Sequence, residues 1–450
     1  MSNRKGIFEI GGCLIIILMA VMGGCQWLGQ GPIVKESRRD YEARMKWWRE
    51  ARFGMFVHWG PVTLKGTELS WSRGKEVPVA EYDNLYKQFN PEKFDAREWV
   101  GLAKEAGMKY IVFTSKHHDG FCMWDTRTTS HSIMSTPFKR DVIRELSDEC
   151  KRQGITFCTY YSILDWYHPD YNLSTQGGPG YNLPQGQTPD INRYIAYMNA
   201  QLRELITGYG PLGVMWFDGE WEEPWTHKDG LELYRYVRGL QPDIIINNRV
   251  DKGRKGMDGT TLTDKFYAGD FDTPEQRVGA FQTRRLWETC ITLGTQWSWK
   301  PDDTIKSLKE CIALLVNTAG GDGNLLLNVG PMADGRIEPR QAQRLREIGG
   351  WMDKYGQSIR GTRGGPFKPQ SWGVSTHRGN IIYVHILNQP EDNLTLPAIR
   401  QKIIAARYLD GGDAPFTQTD KGIEIQLPQA DPNAIDIIIA LELDKPAKGG

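Results

Sequence analysis

The stretch that decides the fold is GVMWFDGEW, residues 213–221. Its apolar run ends in a carboxylate, Asp218, which Gly219 follows at once. A buried charge without partners is costly, so the position of this carboxylate needs a physical reason. Two interpretations fit: a turn at the end of a strand, which Asp-Gly pairs favour, or a catalytic acid placed where a buried strand opens into a pocket.

Similar apolar runs recur along the chain and alternate with longer, helix-like segments, several of which end in Gly. Such alternation predicts a parallel sheet that is buried on both faces. At this count and length a (β/α)8-like barrel is favoured over an open doubly wound sheet, and no dinucleotide-binding glycine fingerprint follows the first run. The runs are FGMFVH (53–58), KYIVFT (109–114), ITFCTYY (155–161), GVMWF (213–217), DIIIN (243–247) and NLLLNV (324–329).

Polar side chains follow most of these predicted strands. In a parallel barrel the carboxyl ends of all strands face one shared pocket, where active sites are built. We therefore expect one site that collects these strand-end residues: His58, His117, His118, Tyr160, Asp218 and Arg249.

The pattern changes after about residue 365, where short alternating stretches such as GNIIYVHIL and AIDIIIALEL replace the helical segments. They predict an antiparallel β-sandwich without a catalytic cluster. The expected chain is thus of the α/β class, with a catalytic (β/α)8-like barrel over 44–363 followed by a C-terminal β-sandwich over 364–445.

The first 25 residues have the composition of an export signal, with Arg4 and Lys5 before a short apolar stretch. That stretch is too short for a comfortable membrane span. The ending Met22-Gly23-Gly24-Cys25 fits two outcomes, lipidation of Cys25 with membrane attachment or ordinary cleavage. Either outcome predicts an exported protein, in the periplasm or at the cell surface, with residues 26–43 as a linker.

Composition narrows the function classes. The 55 basic and 55 acidic residues cancel, which gives no indication of a nucleic-acid partner. Sixteen Trp and eighteen Tyr suit a protein that stacks on sugar rings, although they also fill cores. The five cysteines beyond the leader are widely spaced and form no disulfide framework or metal-ligand pattern.

Several stretches resemble glycoside hydrolase family 29, the α-L-fucosidases, in the right order over residues 44–363. The resemblance implies a retaining, exo-acting enzyme that cleaves terminal α-L-fucose from oligosaccharides or polysaccharides, on a barrel followed by a β-sandwich and without a metal or cofactor. The stretches that carry it include WWREARFGMFVHWG, KYIVFTSKHHDGFCMWDT, VMWFDGEW, INNR, DTPEQ and GGDGNLLLNVGPMADG.

The resemblance also assigns the two carboxyl groups of retaining hydrolysis. Asp218 matches the nucleophile, and Glu275 in DFDTPEQ matches the acid/base. Taken without the family, Glu275 after Pro274 fits a solvated residue at the start of a helix. The other carboxylates to consider are Glu288, the reserve candidate for the acid/base, and the weaker candidates Glu220 and Glu222.

The remaining family positions form the sugar pocket. Those that hydrogen-bond fucose hydroxyls or contact the nucleophile match His58, His117, His118, Tyr160 and Arg249, while Trp71 matches an aromatic wall. Those around the C6 methyl group match Phe56, Trp216 and Trp297.

One position departs from the family. Family members often carry Glu immediately before the Trp that matches Trp71, and here Ser70 stands in that place. Glu68 and Glu76 are the nearby carboxylates that could replace it.

Two alternatives belong to other classes. A metalloenzyme built on His117-His118-Asp119 is disfavoured, because adjacent histidines on a strand point to opposite sides and no third ligand has a recognisable spacing. A catalytically inactive, carbohydrate-binding surface lipoprotein would keep the aromatic residues and lose a carboxylate. Asp218 and Glu275 are both present, which favours the enzyme.

Overall fold

The apolar runs of the amino-terminal part form parallel strands that curl around a shared interior. In the computed structural model, which describes residues 36–171, 186–390, 393–429, 431 and 434–447, the six predicted runs and one further strand, β6, form one sheet of order β5-β4-β3-β2-β1-β7-β6. Their bounds are β1 Phe53–Val57, β2 Tyr110–Lys116, β3 Thr156–Ser162, β4 Val214–Asp218, β5 Ile245–Ile246, β6 Glu288–Thr292 and β7 Asn324–Val329.

An irregular segment, residues 271–275, fills the gap between β5 and β6. It forms single parallel bridges from Phe271 to Asn247, just after β5, and from Glu275 to Cys290 of β6. Pro274 has no N–H to donate to a ladder, which is one reason why this segment is not a regular strand. The ring therefore has eight positions, as the predicted (β/α)8-like barrel requires, and the eighth carries Glu275.

Most helices begin at a side chain that caps their free N–H groups. Asp95 caps the helix that starts at Ala96, and Ser307 forms a capping box with Glu310. The stretch 247–287, which is described throughout, contains no α-helix. The helices are α1 Arg38–Ala51, α2 Val79–Tyr82, α3 Ala96–Glu105, α4 Val142–Gln153, α5 Ile191–Tyr209, α6 His227–Leu240, α7 Leu308–Gly320 and α8 Pro339–Tyr355.

The barrel interior is filled, and α1 closes its lower end. Alternate strand residues such as Phe56, Tyr160 and Trp216 point inward and pack in one cluster with Met45 and Trp48 of α1. Intervening residues point outward to the helices, so all five residues of β1 are buried. The open end of this filled barrel is the end at which the strands finish.

The carboxyl-terminal part is an antiparallel β-sandwich, as predicted. It has a five-stranded sheet of order β12-β15-β10-β9-β8 and a three-stranded sheet of order β11-β14-β13, with a separate apolar core. The strands are β8 Arg363–Gly364, β9 Gly373–Arg378, β10 Ile381–Ile386, β11 Leu394–Leu396, β12 Ile403–Tyr408, β13 Phe416–Gln418, β14 Ile423–Ile425 and β15 Ile437–Leu443.

The amino-terminal boundary differs from the expected one. Residues 1–35, which include the predicted signal and most of the linker, lie outside the described residues. Helix α1 begins at Arg38, inside the predicted linker 26–43, because Ser37 accepts a hydrogen bond from the Asp40 N–H and caps the helix. Within the described ranges, no helix combines the length and apolar character needed to cross a bilayer.

A buried ion cluster joins the barrel to the sandwich. Asp322, just after α7, accepts hydrogen bonds from Arg52 at the end of α1, from Arg363 Nε at 2.9 Å and from the Gly364 N–H at 3.0 Å. The two arginines hold the pKa of Asp322 below its usual range, although burial alone would raise it. One carboxylate thus ties three segments together.

We expect Asp322→Asn to lower the free energy of unfolding by about 3–5 kcal/mol, because it leaves the buried Arg52 without its charge partner. The left-handed backbone at Asp322, with φ of 71°, tolerates Asn, so lost charge is the main change. The control is Asp334→Asn, which weakens partly exposed pairs with Arg336 and Lys93 and should cost at most about 1 kcal/mol. Urea unfolding measures both, and equal effects would contradict the assignment.

Candidate active site

A cavity of about 320 Å³ opens at the carboxyl ends of the barrel strands. All but one of the site residues predicted from the sequence line it: Phe56, His58, Trp71, His117, Tyr160, Trp216, Asp218, Arg249, Glu275 and Trp297. His118 is not in the lining, and its Nε2 lies 3.8 Å from Asp218. Lining residues that the sequence analysis did not identify as site residues are Trp221, Arg254, Gly256, Met257 and Cys290.

Asp218 is the last residue of β4, and its carboxylate is held from two sides. Arg249 Nη1 donates to Oδ1 at 2.8 Å, and the Tyr160 hydroxyl donates to Oδ2 at 3.0 Å. Burial by itself raises the pKa of Asp218, but the charges of Arg249 and Arg254 outweigh it and hold the pKa below its usual range. Asp218 is therefore ionised at neutral pH.

Gly219 makes the turn behind this carboxylate possible. Its φ is +94°, a left-handed conformation that other residues avoid, and an added Cβ would lie 2.9 Å from the backbone nitrogen of Leu164. The Asp-Gly pair is thus a turn, as the first interpretation of GVMWFDGEW expected. It also places Asp218 in a pocket, as the second expected.

Arg249 connects Asp218 to Glu275. Arg249 Nη2 donates to Glu275 Oε2 at 2.8 Å, and Nε donates to Thr273 Oγ1 at 2.9 Å. The guanidinium also lies over the Trp216 ring, 4.7 Å from its centre. Two carboxyl groups at the same cavity are therefore hydrogen-bonded to one cation, Arg249.

Glu275 does not start a helix. It belongs to the segment that closes the barrel, and its side chain is only 16% exposed. The alternative interpretation, a solvated residue at a helix start, is therefore wrong, because the chain after Pro274 pairs with β6 instead of turning into a helix.

His58 presents a lone pair to the cavity. The Asn328 amide donates to the Trp297 carbonyl, which leaves Asn328 Oδ1 to accept from His58 Nδ1 at 2.7 Å. Burial lowers the pKa of His58 to about 3, so the ring is neutral. Its Nε2 is consequently a hydrogen-bond acceptor.

His118 has the same tautomer for a similar reason. The Ser162 hydroxyl donates to the Leu164 carbonyl, so its oxygen must accept from His118 Nδ1 at 2.6 Å. Burial lowers the pKa of His118 to about 4. Its unprotonated Nε2 faces the Asp218 carboxylate.

Ser70 holds the ring of His117. Ser70 Oγ accepts from the Asp119 N–H at 3.0 Å and is hydrogen-bonded to His117 Nδ1 at 2.7 Å. Burial lowers the pKa of His117 well below its usual value, so this ring is also neutral.

Neither nearby glutamate reaches the cavity in place of the family's residue before Trp71. Glu68 accepts from the backbone N–H groups of Trp297 and Ser298, at 2.8 and 3.0 Å, and so fixes the loop that carries Trp297. Glu76 is exposed. Ser70 itself acts on the site through His117.

Three aromatic rings form an apolar patch on one wall. The Phe56 ring centre lies 5.2 Å from that of Trp216 and 5.9 Å from that of Trp297. Phe56 and Trp216 project from β1 and β4, while Trp297 lies on the loop after β6. This patch can accommodate a small apolar group.

The other acidic candidates do not line the cavity. Glu288 is the first residue of β6, at the closed end of the barrel, where it accepts from Tyr110 and from Trp216 Nε1 at 3.1 Å. Glu220 pairs with Arg254, and Glu222 accepts from Tyr171. The reserve candidate Glu288 is therefore too deep to reach a substrate at the open end.

The two adjacent histidines do not point to opposite sides. Their ring centres are 4.1 Å apart, since β2 ends at Lys116 and the chain leaves the pleat before His117. That expectation was wrong. Even so, no group of three His, Cys, Asp or Glu side chains in the described part of the chain is arranged to hold a metal ion.

Comparison with known proteins then gives the family. The α-L-fucosidase family profile matches residues 33–357. The chain belongs to the α-L-fucosidase family. Tissue α-L-fucosidase of Homo sapiens is 28% identical over 425 residues, which cover 86% of each chain.

Solved α-L-fucosidases share the fold over most of their length. Isoenzyme 1 from Paenibacillus thiaminolyticus is 34% identical, with a TM-score of 0.80 over 90% of this chain and 100% of its own. A GH29 α-L-fucosidase from Bacteroides thetaiotaomicron, trapped as a covalent intermediate with 2-fluoro-fucosyl fluoride, is 27% identical. Its TM-score is 0.80, over 93% of this chain and 99% of its own.

The buried Glu288 predicts a pH dependence of stability. Burial raises the pKa of Glu288 from 4.5 to about 7, so the folded protein binds this proton more tightly than the unfolded chain does. Its contribution to stability is full below about pH 4.5 and is lost as the pH rises to about 7. We expect wild type to lose stability relative to Glu288→Gln over this interval.

Thermal unfolding of both proteins between about pH 4 and about pH 8, at constant ionic strength, measures this difference. Because all other titrating groups are shared, the difference isolates Glu288. A difference in Tm that does not change with pH would contradict the buried, protonated state.

Proposed function

We propose that this protein is a retaining, exo-acting α-L-fucosidase that removes terminal α-L-fucose from oligosaccharides or polysaccharides. The observation that carries the proposal is the pair of carboxyl groups, Asp218 and Glu275, held at one cavity by Arg249. Membership in the α-L-fucosidase family supports the substrate class.

In the first step Asp218 is the nucleophile. Its carboxylate oxygen bonds to C1 of fucose while the bond from C1 to the glycosidic oxygen breaks, and Glu275 gives that oxygen a proton. The ion pair with Arg249 keeps Asp218 ionised before attack. The covalent intermediate of the Bacteroides thetaiotaomicron relative supports this route.

In the second step Glu275 acts as the base. It takes a proton from water, the water oxygen bonds to C1, and the bond from C1 to Asp218 breaks. Two inversions at C1 give α-L-fucose, with net retention. Both carboxyl groups return to their starting states.

Two of the neutral histidines, His58 and His117, line the cavity and suit a substrate rich in hydroxyl groups. His58 offers an acceptor, and His117 a second ring nitrogen, for hydrogen bonds to hydroxyls. We assign Phe56, Trp216 and Trp297 to the C6 methyl group of fucose, which suits their apolar patch. Such a patch favours a 6-deoxy sugar over the corresponding sugar with a 6-hydroxyl group, although the discrimination is modest.

The competing function is a carbohydrate-binding surface protein without activity. That function requires the aromatic wall but not a second carboxylate on Arg249. The intact pair therefore favours catalysis.

The location proposed from the sequence is outside the cytoplasm. Residues 1–25 carry the charged start, the apolar stretch and the small residues of an export signal. A lipid on Cys25 would attach the enzyme to a membrane, whereas ordinary cleavage would release it. This proposal rests on the sequence alone.

The test of function begins with Asp218→Asn. Wild type should release fucose from an aryl α-L-fucoside with the α-anomer formed first, as followed by NMR. The variant should lose turnover by roughly 10⁴-fold or more, because a neutral amide cannot form the glycosyl-enzyme. Wild type that binds fucosides without releasing fucose would support the inactive alternative, and a variant within tenfold of wild type would exclude Asp218 as the nucleophile.

Glu275→Ala separates the two chemical steps. It should lower the hydrolysis rate of substrates with poor leaving groups by about 10²- to 10⁴-fold. For aryl fucosides with good leaving groups, the first step should be slowed less, because the phenolate leaves without a proton. Azide needs no deprotonation, so it should restore turnover on the activated substrate and give α-fucosyl azide by intercepting the intermediate.

The matched control is Glu288→Gln, which removes a buried carboxylate that does not line the cavity. It should show neither azide rescue nor a dependence on the leaving group. If Glu288→Gln were rescued and Glu275→Ala were not, the two assignments would have to be exchanged.

A further inference from the structure

The mouth of the cavity carries two unusually exposed apolar side chains. Among the described residues, four large apolar side chains stand out as exposed, and two of them, Trp221 at 39% and Met257 at 50%, line the cavity. Trp221 lies on the loop after β4, and Met257 on the loop after β5. Exposed apolar surface that continues a polar pocket marks a binding site.

The Trp221 ring is held in a fixed orientation. The Trp71 ring lies nearly parallel to it, at 15° with the centres 6.4 Å apart, and His118 meets it edge-on at 5.6 Å. The Arg254 guanidinium lies 5.7 Å from the centre of the Trp221 ring. Trp221 is therefore exposed to solvent and also held in place by its neighbours.

A buried carboxylate fixes Arg254 in turn. Arg254 Nε donates to Glu220 Oε1 at 2.6 Å, and Nη1 donates to the Gly256 carbonyl at 2.5 Å. Glu220 is 3% exposed. Because removing two charges from water is costly, a buried ion pair such as this one adds little net stability, and its presence calls for another role. The pair holds the Arg254 and Trp221 stack at the cavity mouth.

Met257 is tied to the proposed acid/base. Its carbonyl accepts a hydrogen bond from the Glu275 N–H at 3.1 Å. Glu275 must reach the glycosidic oxygen, so the sugar ring on the far side of that oxygen lies next to Met257. The apolar rim is thus adjacent to the bond that is cleaved.

We propose that Trp221, Met257 and Arg254 form the subsite for the leaving group, and that its occupant is a neutral hexopyranose. A pyranose ring has a face of C–H groups that stacks on an indole, and Arg254 offers N–H donors to its hydroxyls. The inference rests on the proposed function and adds the residues that select the sugar to which fucose is attached.

The experiment compares two substrates in each variant. The first is a fucosylated disaccharide whose second sugar is galactose, and the second is α-L-fucosyl fluoride, whose leaving group places no ring in the subsite. The readout is the kcat/KM for the disaccharide divided by the kcat/KM for the fluoride. Trp221→Ala should lower this ratio roughly tenfold, Trp221→Phe less, and Met257→Ala by a smaller factor.

Ile404→Ala is the control, since Ile404 is 54% exposed on β12 of the sandwich and should leave the ratio unchanged. Hydrolysis of the fluoride reports folding of each variant. If Trp221→Ala does not fold, the ratios measured for Trp221→Phe and Met257→Ala test the subsite instead. A ratio equal to that of wild type in the folded variants overturns the subsite. Failure of wild type to hydrolyse either substrate would overturn the proposed function itself.

Discussion

The site depends on one cation, Arg249, placed between two carboxyl groups in a largely buried cavity. Arg249 offers a separate terminal nitrogen to each of them, so one side chain holds both groups at the same cavity. Its Nε is bound to Thr273, so the guanidinium plane is fixed. A lysine has one nitrogen and could not hold both groups in this geometry.

The position of Arg249 follows from irregularities in the barrel. Strand β5 has only two residues, after which a single turn, residues 248–250, carries Arg249 into the cavity. The closing segment 271–275 is equally irregular and brings Glu275 to the second terminal nitrogen of the guanidinium. A regular strand and crossover helix at these positions would place both side chains elsewhere. The least regular part of the barrel therefore contains the proposed acid/base and its partner.

The pocket also depends on the closed end of the barrel. Trp216 lines the cavity with its ring, while its N–H is bound by Glu288 at the closed end, which fixes the ring. Buried partners likewise select the tautomers of His58 and His118, which both leave Nε2 as an acceptor. Ser70 is hydrogen-bonded to His117 and so supports the cavity wall, although Ser70 itself does not line the cavity.

The sequence by itself determined the barrel, the β-sandwich and most of the cavity lining, because strands that end in polar residues must meet at one end of a parallel barrel. Together with the motifs, it also pointed to Asp218. Only the tertiary structure separates Glu275 from Glu288 in space, since Glu275 lines the cavity at the open end and Glu288 lies at the closed end of the neighbouring strand. It also brought Trp221, Arg254 and Met257 together. Loop conformation and long-range contacts place those side chains, and neither leaves a periodic signal in the chain.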